Sequence, residues 1–190
     1  NVEDILFFDT ETTGLDIREG DEMVALGAVR IVNGRLLESE SFVQLVKPEC
    51  ILRHDAIRIH GIQPQMLEGQ PDVRKALQAF ERFAEGTILV AHNAAFDMRL
   101  LQLQEKRTGI RFGNPVLDTM LLSAVLHPAQ RKHDIESIAE RLGITIMGRH
   151  TALGDAIATG EVFLKLLPLL AEMGIQTFKQ ARAASLKTYY

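Results

Sequence analysis

The fold is decided by the stretch Ile5-Leu6-Phe7-Phe8-Asp9-Thr10-Glu11-Thr12-Thr13-Gly14, in which an apolar run leads directly into two carboxylates. Side chains two positions apart on a strand share a face, so Asp9 and Glu11 are expected to point the same way from the end of a buried strand. Neighbouring carboxylates repel each other unless they are neutralised, and a hard divalent cation such as Mg²⁺ or Mn²⁺ is the simplest neutralising partner. The stretch also fits a strand that ends in an ordinary turn rich in Asp, Thr and Gly.

Outward from this strand, the sequence continues with a hairpin and then alternates strand and helix. Apolar runs at 24–32 and 36–46 flank Asn33-Gly34, a strong hairpin signal, so the chain opens with three strands, the later two antiparallel. A further short strand is predicted at 87–91. This order predicts an α/β domain with a mixed sheet flanked by helices. Helices are expected at 72–84, about 94–106, 116–126, 134–142 and 151–171, with helical turns near 54–59 and 64–67, a last helix after Gly174, and a bend or break at Pro168.

Length and composition indicate an ordinary globular domain. The 190 residues, 46% apolar and 24% charged, suffice for one domain with a sizeable core. No stretch approaches the roughly 20 apolar residues of a membrane span or resembles a secretion signal. The single cysteine, Cys50, fits a reducing cytoplasm. The chain starts at Asn1 rather than at methionine, so we expect a domain trimmed or excised from something longer.

Further polar residues follow the strand predicted at 87–91 and precede the last long helix. Sites in α/β sheets lie at the carboxyl ends of strands, where the acids of the opening strand would also lie. Asp97 falls just inside the next helix, and no basic partner is evident for these acids. His150 and Asp155 can reach one cavity if a helix starts between them. Each also has a structural explanation, since Asp97 can complement a helix dipole and His150 can cap a helix or lie on the surface.

The net charge of −4 gives no support for nucleic-acid binding through bulk positive charge. If four carboxylates line a metal site, however, the remainder of the chain is close to neutral. Two divalent cations would then cancel the charge of the site, so an acidic balance does not exclude a substrate that carries phosphate.

In order and spacing, Asp9-x-Glu11, Asp97 and His150-x4-Asp155 resemble the three motifs of the DEDDh 3′→5′ exonucleases, typified by the proofreading epsilon subunit of bacterial DNA polymerase III. The sister DEDDy class does not fit, because the only tyrosines stand at 189 and 190. Thr151, where many members carry Arg, is a departure that leaves the catalytic groups intact. The resemblance covers about residues 4–165 and includes the context Ile59-His60-Gly61-Ile62, Ala91-His92-Asn93-Ala94-Ala95-Phe96-Asp97 and Leu117-Asp118-Thr119.

This resemblance implies an RNase H-like fold, with a three-stranded antiparallel start followed by parallel strands. It also implies two divalent ions, Mg²⁺ or Mn²⁺. Asp9 would bridge both ions, Glu11 and Asp155 would complete the first, and Asp97 would support the second, partly through water. His150 would be the general base.

The resemblance further implies a pocket for the terminal nucleotide, with Leu15 against its base. From the residues alone, each of these side chains is at least as well explained by core packing or turn formation. Asp118 is predicted to be structural, and His127 and His133 to lie on the surface. The expected substrate-binding residues are Thr10, Thr12, Leu15, Asp55, His60, His92, Asn93 and Phe96.

The expected function is metal-dependent release of 5′-mononucleotides from single-stranded or frayed 3′ ends of DNA. The alternatives are an RNA-trimming enzyme of the same fold, a non-catalytic nucleic-acid-binding module, and a phosphatase-like metalloenzyme for small molecules. The segment after Gly174 shows no polymerase-tethering signature. We therefore expect an epsilon-like exonuclease or a domain of a larger protein, with a replication or repair partner or fused domains and no membrane partner.

Overall fold

The computed structural model describes residues 4–188, and within them five strands form one mixed sheet. The strands lie in the order β3-β2-β1-β4-β5, where β1 is Ile5–Thr12, β2 Met23–Val32, β3 Arg35–Leu45, β4 Ile88–Ala91 and β5 Val116–Asp118. β2 pairs antiparallel with β1 and β3, whereas β4 is parallel to β1 and β5 to β4. The predicted antiparallel start followed by parallel strands is therefore confirmed.

Helices cover both faces of the sheet. They are α1 (His54–His60), α2 (Pro64–Leu67), α3 (Val73–Ala84), α4 (Ala94–Leu103), α5 (Glu105–Thr108), α6 (Thr119–Leu126), α7 (Ile135–Leu142), α8 (Ala152–Glu172) and α9 (Phe178–Leu186), with a 3₁₀ turn at Ile17–Glu19. In the described part of the chain, no helix combines the length and apolar character needed to cross a bilayer.

Alternation along β1 divides the apolar residues between two cores. Leu6 and Phe8 pack with α3 and α4, and the Phe8 ring lies 5.8 Å from that of Phe80. Phe7 points to the other face, where its ring lies 5.3 Å from that of Phe163 on α8. The opening strand therefore contributes side chains to both layers of helices, as a strand buried on both sides must.

The Asn33-Gly34 turn forms as predicted. Asn33 has φ 51° and Gly34 has φ 77°, so both central residues adopt the left-handed conformation that a type I′ hairpin turn requires.

Three local predictions were wrong. The segment 116–126 is not one helix, because the first three residues pair with β4 and the Asp118 side chain then caps α6 by accepting from the backbone N–H of Met120 at 2.8 Å. Of the two outcomes predicted at Pro168, the break does not occur, because α8 runs without interruption through this residue, whose ring is exposed. His133 is 1% exposed rather than on the surface, and its Nδ1 shares a 2.8 Å hydrogen bond with Ser123 Oγ.

Candidate active site

Three carboxylates converge where β1 ends beside the first turn of α8. One ligand oxygen from each of Asp9, Glu11 and Asp155 lies within 4.8 Å of the other two. The shared face predicted for Asp9 and Glu11 is thus confirmed. The Thr151 hydroxyl caps α8 by accepting from Gly154 N at 3.0 Å, so the helix starts at Ala152, and its first turn brings Asp155 to the strand.

The close approach of α8 to the sheet depends on Gly27. This residue is opposite Asp9 in the β1–β2 pairing. A Cβ at Gly27 would lie 2.3 Å from the backbone nitrogen of Leu153, at the start of α8. Sequence reasoning missed Gly27, because a glycine in a strand signals a close contact only once the contacting element is known.

We expect Gly27→Ala to destabilise the protein and to separate Asp155 from Asp9. The added methyl group meets backbone rather than a flexible side chain, so the expected loss is roughly 1–3 kcal/mol or more of unfolding free energy. Thermal unfolding and the stabilisation by added Mn²⁺ measure both effects. Gly113→Ala is the matched control, since its added Cβ has open space around it. Equal Tm values for the two variants would contradict the proposed contact.

Asp97 lies beside this triad rather than within it. Its side chain, 3% exposed, accepts a 2.5 Å hydrogen bond from the Thr10 hydroxyl through Oδ1. Thr10 points to the opposite face of β1 from Asp9, so Asp97 reaches the strand from the α4 side. Thr10, predicted to contact substrate, thus also positions an acid.

The electrostatics of the acids favour a bound cation. Burial, and then the neighbouring acids Asp97 and Asp155, raise the pKa of Asp9 well above its ordinary value. Burial and then Asp155 raise the pKa of Glu11 to about 8, and burial raises that of Asp97 to about 7. A divalent cation among these oxygens would remove the repulsion, and carboxylate oxygens are the ligands that Mg²⁺ and Mn²⁺ prefer. The residues present therefore fit a divalent metal.

One acid has a basic partner, contrary to expectation. The Arg149 guanidinium donates from Nη1 to Asp155 Oδ1 at 2.5 Å and from Nε to Glu136 Oε1 at 2.8 Å. Arg149 directly precedes His150, and in sequence nothing distinguished it from a surface arginine.

His150 lies in the loop before α8 and faces the same cavity. Its side chain is exposed, and its φ of 67° places the residue in the left-handed region, which is uncommon for a residue other than glycine. Its backbone N–H donates to Asp155 Oδ1 at 3.0 Å, which fixes the loop relative to the acids.

The cavity holds about 390 Å³, and half of the predicted substrate-binding residues line it, namely Thr10, Leu15, His92 and Asn93. Thr12, Asp55, His60 and Phe96 lie outside this lining. Asp55 is exposed on α1, and Phe96 packs half-buried against the α3–α4 core. His60 accepts from the Ile62 N–H at Nδ1, so its Nε2–H donates to the Thr12 carbonyl at 3.0 Å and holds the end of β1.

His92 and Asp118 connect the turns at the carboxyl ends of β4 and β5. His92 Nε2 bonds to the His133 carbonyl and Nδ1 to the Thr119 hydroxyl, both at 2.7 Å. The Asp118 carboxylate accepts from the backbone N–H groups of Asn93 and Ala94, each at 3.0 Å. Asp118 therefore has the structural role predicted for it.

The chain is similar to known proteins in both sequence and fold. The RNase_T family model, described as Exonuclease, matches residues 6–163. A DNA polymerase III subunit epsilon-like protein of Rhodobacter capsulatus is 49% identical over 173 residues, which make up 90% of this chain and 25% of that protein. The chain spans a still smaller share of the length of the DNA polymerase III PolC-type relatives that it matches.

Two solved structures show the same fold. Exonuclease X in complex with 5′ overhanging duplex DNA superposes with a TM-score of 0.75 at 23% identity, covering 95% of this chain and 99% of that one. The nuclease domain of 3′hExo, a DEDDh family member bound to rAMP, gives 0.76 at 18% identity, covering 92% and 94%. The predicted RNase H-like architecture is confirmed.

Proposed function

The chain belongs to the exonuclease family of the RNase_T model, and from this membership we propose that it releases 5′-mononucleotides from single-stranded or frayed 3′ ends of DNA with the help of two divalent cations. The observation that supports the proposal best is the convergence of Asp9, Glu11 and Asp155 within 4.8 Å, in a cavity that His150 also lines. Carboxyl groups whose pKa values are raised by burial and by neighbouring acids are concentrated at functional sites.

The acids would hold the cations, Mg²⁺ or Mn²⁺, with Asp97 beside the triad. Bound cations supply an activated water and neutralise charge at the phosphorus and the leaving oxygen. His150, which is exposed and lines the cavity, would accept the proton of the attacking water, since imidazole is the side chain that changes charge near neutral pH.

The substrate end would bind along the cavity rim. Leu15 is 79% exposed there, so its apolar side chain is free to pack against the terminal base. Asn93 would contact the terminal nucleotide. Further contacts with the substrate would come from Thr12, Asp55, His60 and Phe96. His60 would act through the end of β1 that it holds.

Activity on linear, 3′-phosphorylated and circular single-stranded DNA tests the proposal. We expect stepwise loss of mononucleotides from a free 3′-OH, faster at frayed than at paired ends because unstacking a paired base costs a few kcal/mol. A 3′-phosphate should block the reaction, because its charge and bulk would occupy the place of the hydroxyl. Efficient cleavage of the circle would mean an endonuclease and would overturn the assignment.

RNA is the second candidate substrate, favoured by the rAMP bound to the related nuclease domain. The catalytic acids cannot distinguish the two nucleic acids, because the 2′-OH is recognised by surrounding contacts. Parallel assays on DNA and RNA oligonucleotides of one sequence decide between them. A non-catalytic binding module would bind both and cleave neither.

For the whole chain we propose a single exonuclease domain over 1–190, with its motifs within about 4–165, acting in the cytoplasm beside a replication or repair partner or fused domains.

A further inference from the structure

Arg149 forms a bridge between the carboxylate triad and α7. Its side chain, 26% exposed, contacts Asp155, whose side chain is 13% exposed, and two of its nitrogens, Nε and Nη2, contact Glu136 Oε1. Guanidinium is always charged and presents its donors in a rigid fork, so one arginine can bind two carboxylates at once. We call this pair of contacts the Arg149 bridge.

The bridge uses the oxygen of Asp155 that already has another donor. Oδ1 accepts from Arg149 Nη1 at 2.5 Å and from the His150 backbone N–H at 3.0 Å. Each carboxylate oxygen offers about two lone-pair directions, so the two donors occupy Oδ1 and leave Oδ2 for a cation. While Arg149 stays in contact, the charge of Asp155 is partly neutralised and one of its oxygens is taken, so Arg149 and a cation compete for this carboxylate.

Glu136 is the second carboxylate that binds the guanidinium. It lies in the first turn of α7. The Asp134 side chain caps that turn by accepting a hydrogen bond from the backbone N–H of Ser137 at 3.0 Å. The carbonyl of the preceding His133 is bound by His92. The α7 end of the bridge is thus fixed, and Arg149 can leave Asp155 without losing its other ion pair.

We propose that Arg149 is an internal counter-ion that competes with a divalent cation for Asp155, so that the bridge lowers the metal affinity of the site. This inference rests on the metal site of the proposed function and adds a positioning residue to it. Without metal, the bridge keeps Asp155 and the loop before α8 in place. With metal, Arg149 stays on Glu136.

Mn²⁺ titration of the intact chain, followed by calorimetry or by electron paramagnetic resonance of free Mn²⁺, tests the proposal. We expect Arg149→Gln to bind Mn²⁺ about three- to tenfold more tightly, because the competing ion pair and a nearby positive charge are removed. Its metal-free form should melt at lower temperature than the wild type, and saturating Mn²⁺ should reduce this difference. Arg149→Lys retains the charge without the fork and should bind Mn²⁺ with intermediate affinity.

Two further variants separate the bridge from a general charge effect. Arg111→Gln removes an equal charge at an exposed position on the loop that leads into the amino end of β5, whereas the acids lie towards the carboxyl end of the parallel strand β1, and it should leave Mn²⁺ affinity unchanged. Glu136→Gln leaves Arg149 with Asp155 alone and should weaken Mn²⁺ binding about two- to threefold.

Unchanged or weaker Mn²⁺ binding by Arg149→Gln would overturn the proposal, since Arg149 would then be irrelevant to the metal or needed to orient Asp155. If the wild type itself binds no Mn²⁺, the metal-dependent function fails instead, and the bridge proposal fails with it.

Discussion

Asp9→Asn should reduce hydrolysis roughly 10³-fold or more while the fold stays intact, because Asp9 is central to the triad and several kcal/mol of charge stabilisation depend on the cations. Bound cations should stabilise the folded wild type by about 2.7 kcal/mol when their concentration is a hundred times the Kd, and this stabilisation should be smaller in the variant. Rates on a labelled oligonucleotide and Tm values with and without Mn²⁺ measure the two effects. Glu140→Gln, an equal charge change on an exposed face of α7, is the control.

The metal-free protein should also show a distinctive pH dependence. A carboxyl whose pKa is raised on folding keeps a proton that the unfolded chain releases, so its contribution to stability is lost as the pH rises. For Glu11 this window runs from the ordinary 4.5 to about 8. In chelator, stability should fall across that range, and Asp9→Asn should flatten the fall.

Full activity in excess chelator would refute the metal-dependent mechanism.

His150→Ala should lower the rate by about 10² to 10⁴, the usual contribution of a positioned general base. Mn²⁺ binding should be largely retained, because the imidazole is outside the carboxylate triad. The acidic limb of the pH–rate profile should disappear with the imidazole. His54→Ala, at another exposed histidine, should behave like the wild type. An unchanged acidic limb in His150→Ala would mean that His150 only positions other groups.

The sequence predicted those parts of the fold and of the site that depend only on neighbouring residues. Asp9 and Glu11 share a face because a strand alternates, and the Asn33-Gly34 turn forms because both positions tolerate a positive φ. Those features need no knowledge of the rest of the chain.

The features that were missed depend on contacts between distant segments. Gly27 matters only because α8 lies against it, and Arg149 only because α7 brings Glu136 within reach. The strand β5 has three residues, too few for alternation to appear, and pairing with β4 decides its conformation. The role of Asp97 in the site, like that of His150, stays a prediction.

The division of β1 between two layers of helices has a consequence for when the chain can act. Asp155 arrives from one side of the sheet with α8, whereas Asp97 arrives from the other with α4 and meets Thr10. A chain with only one side docked would hold an incomplete set of acids. Both layers of helices must therefore be docked on β1 before the set of acids is complete, so a copy with either layer detached would lack the groups on which hydrolysis depends.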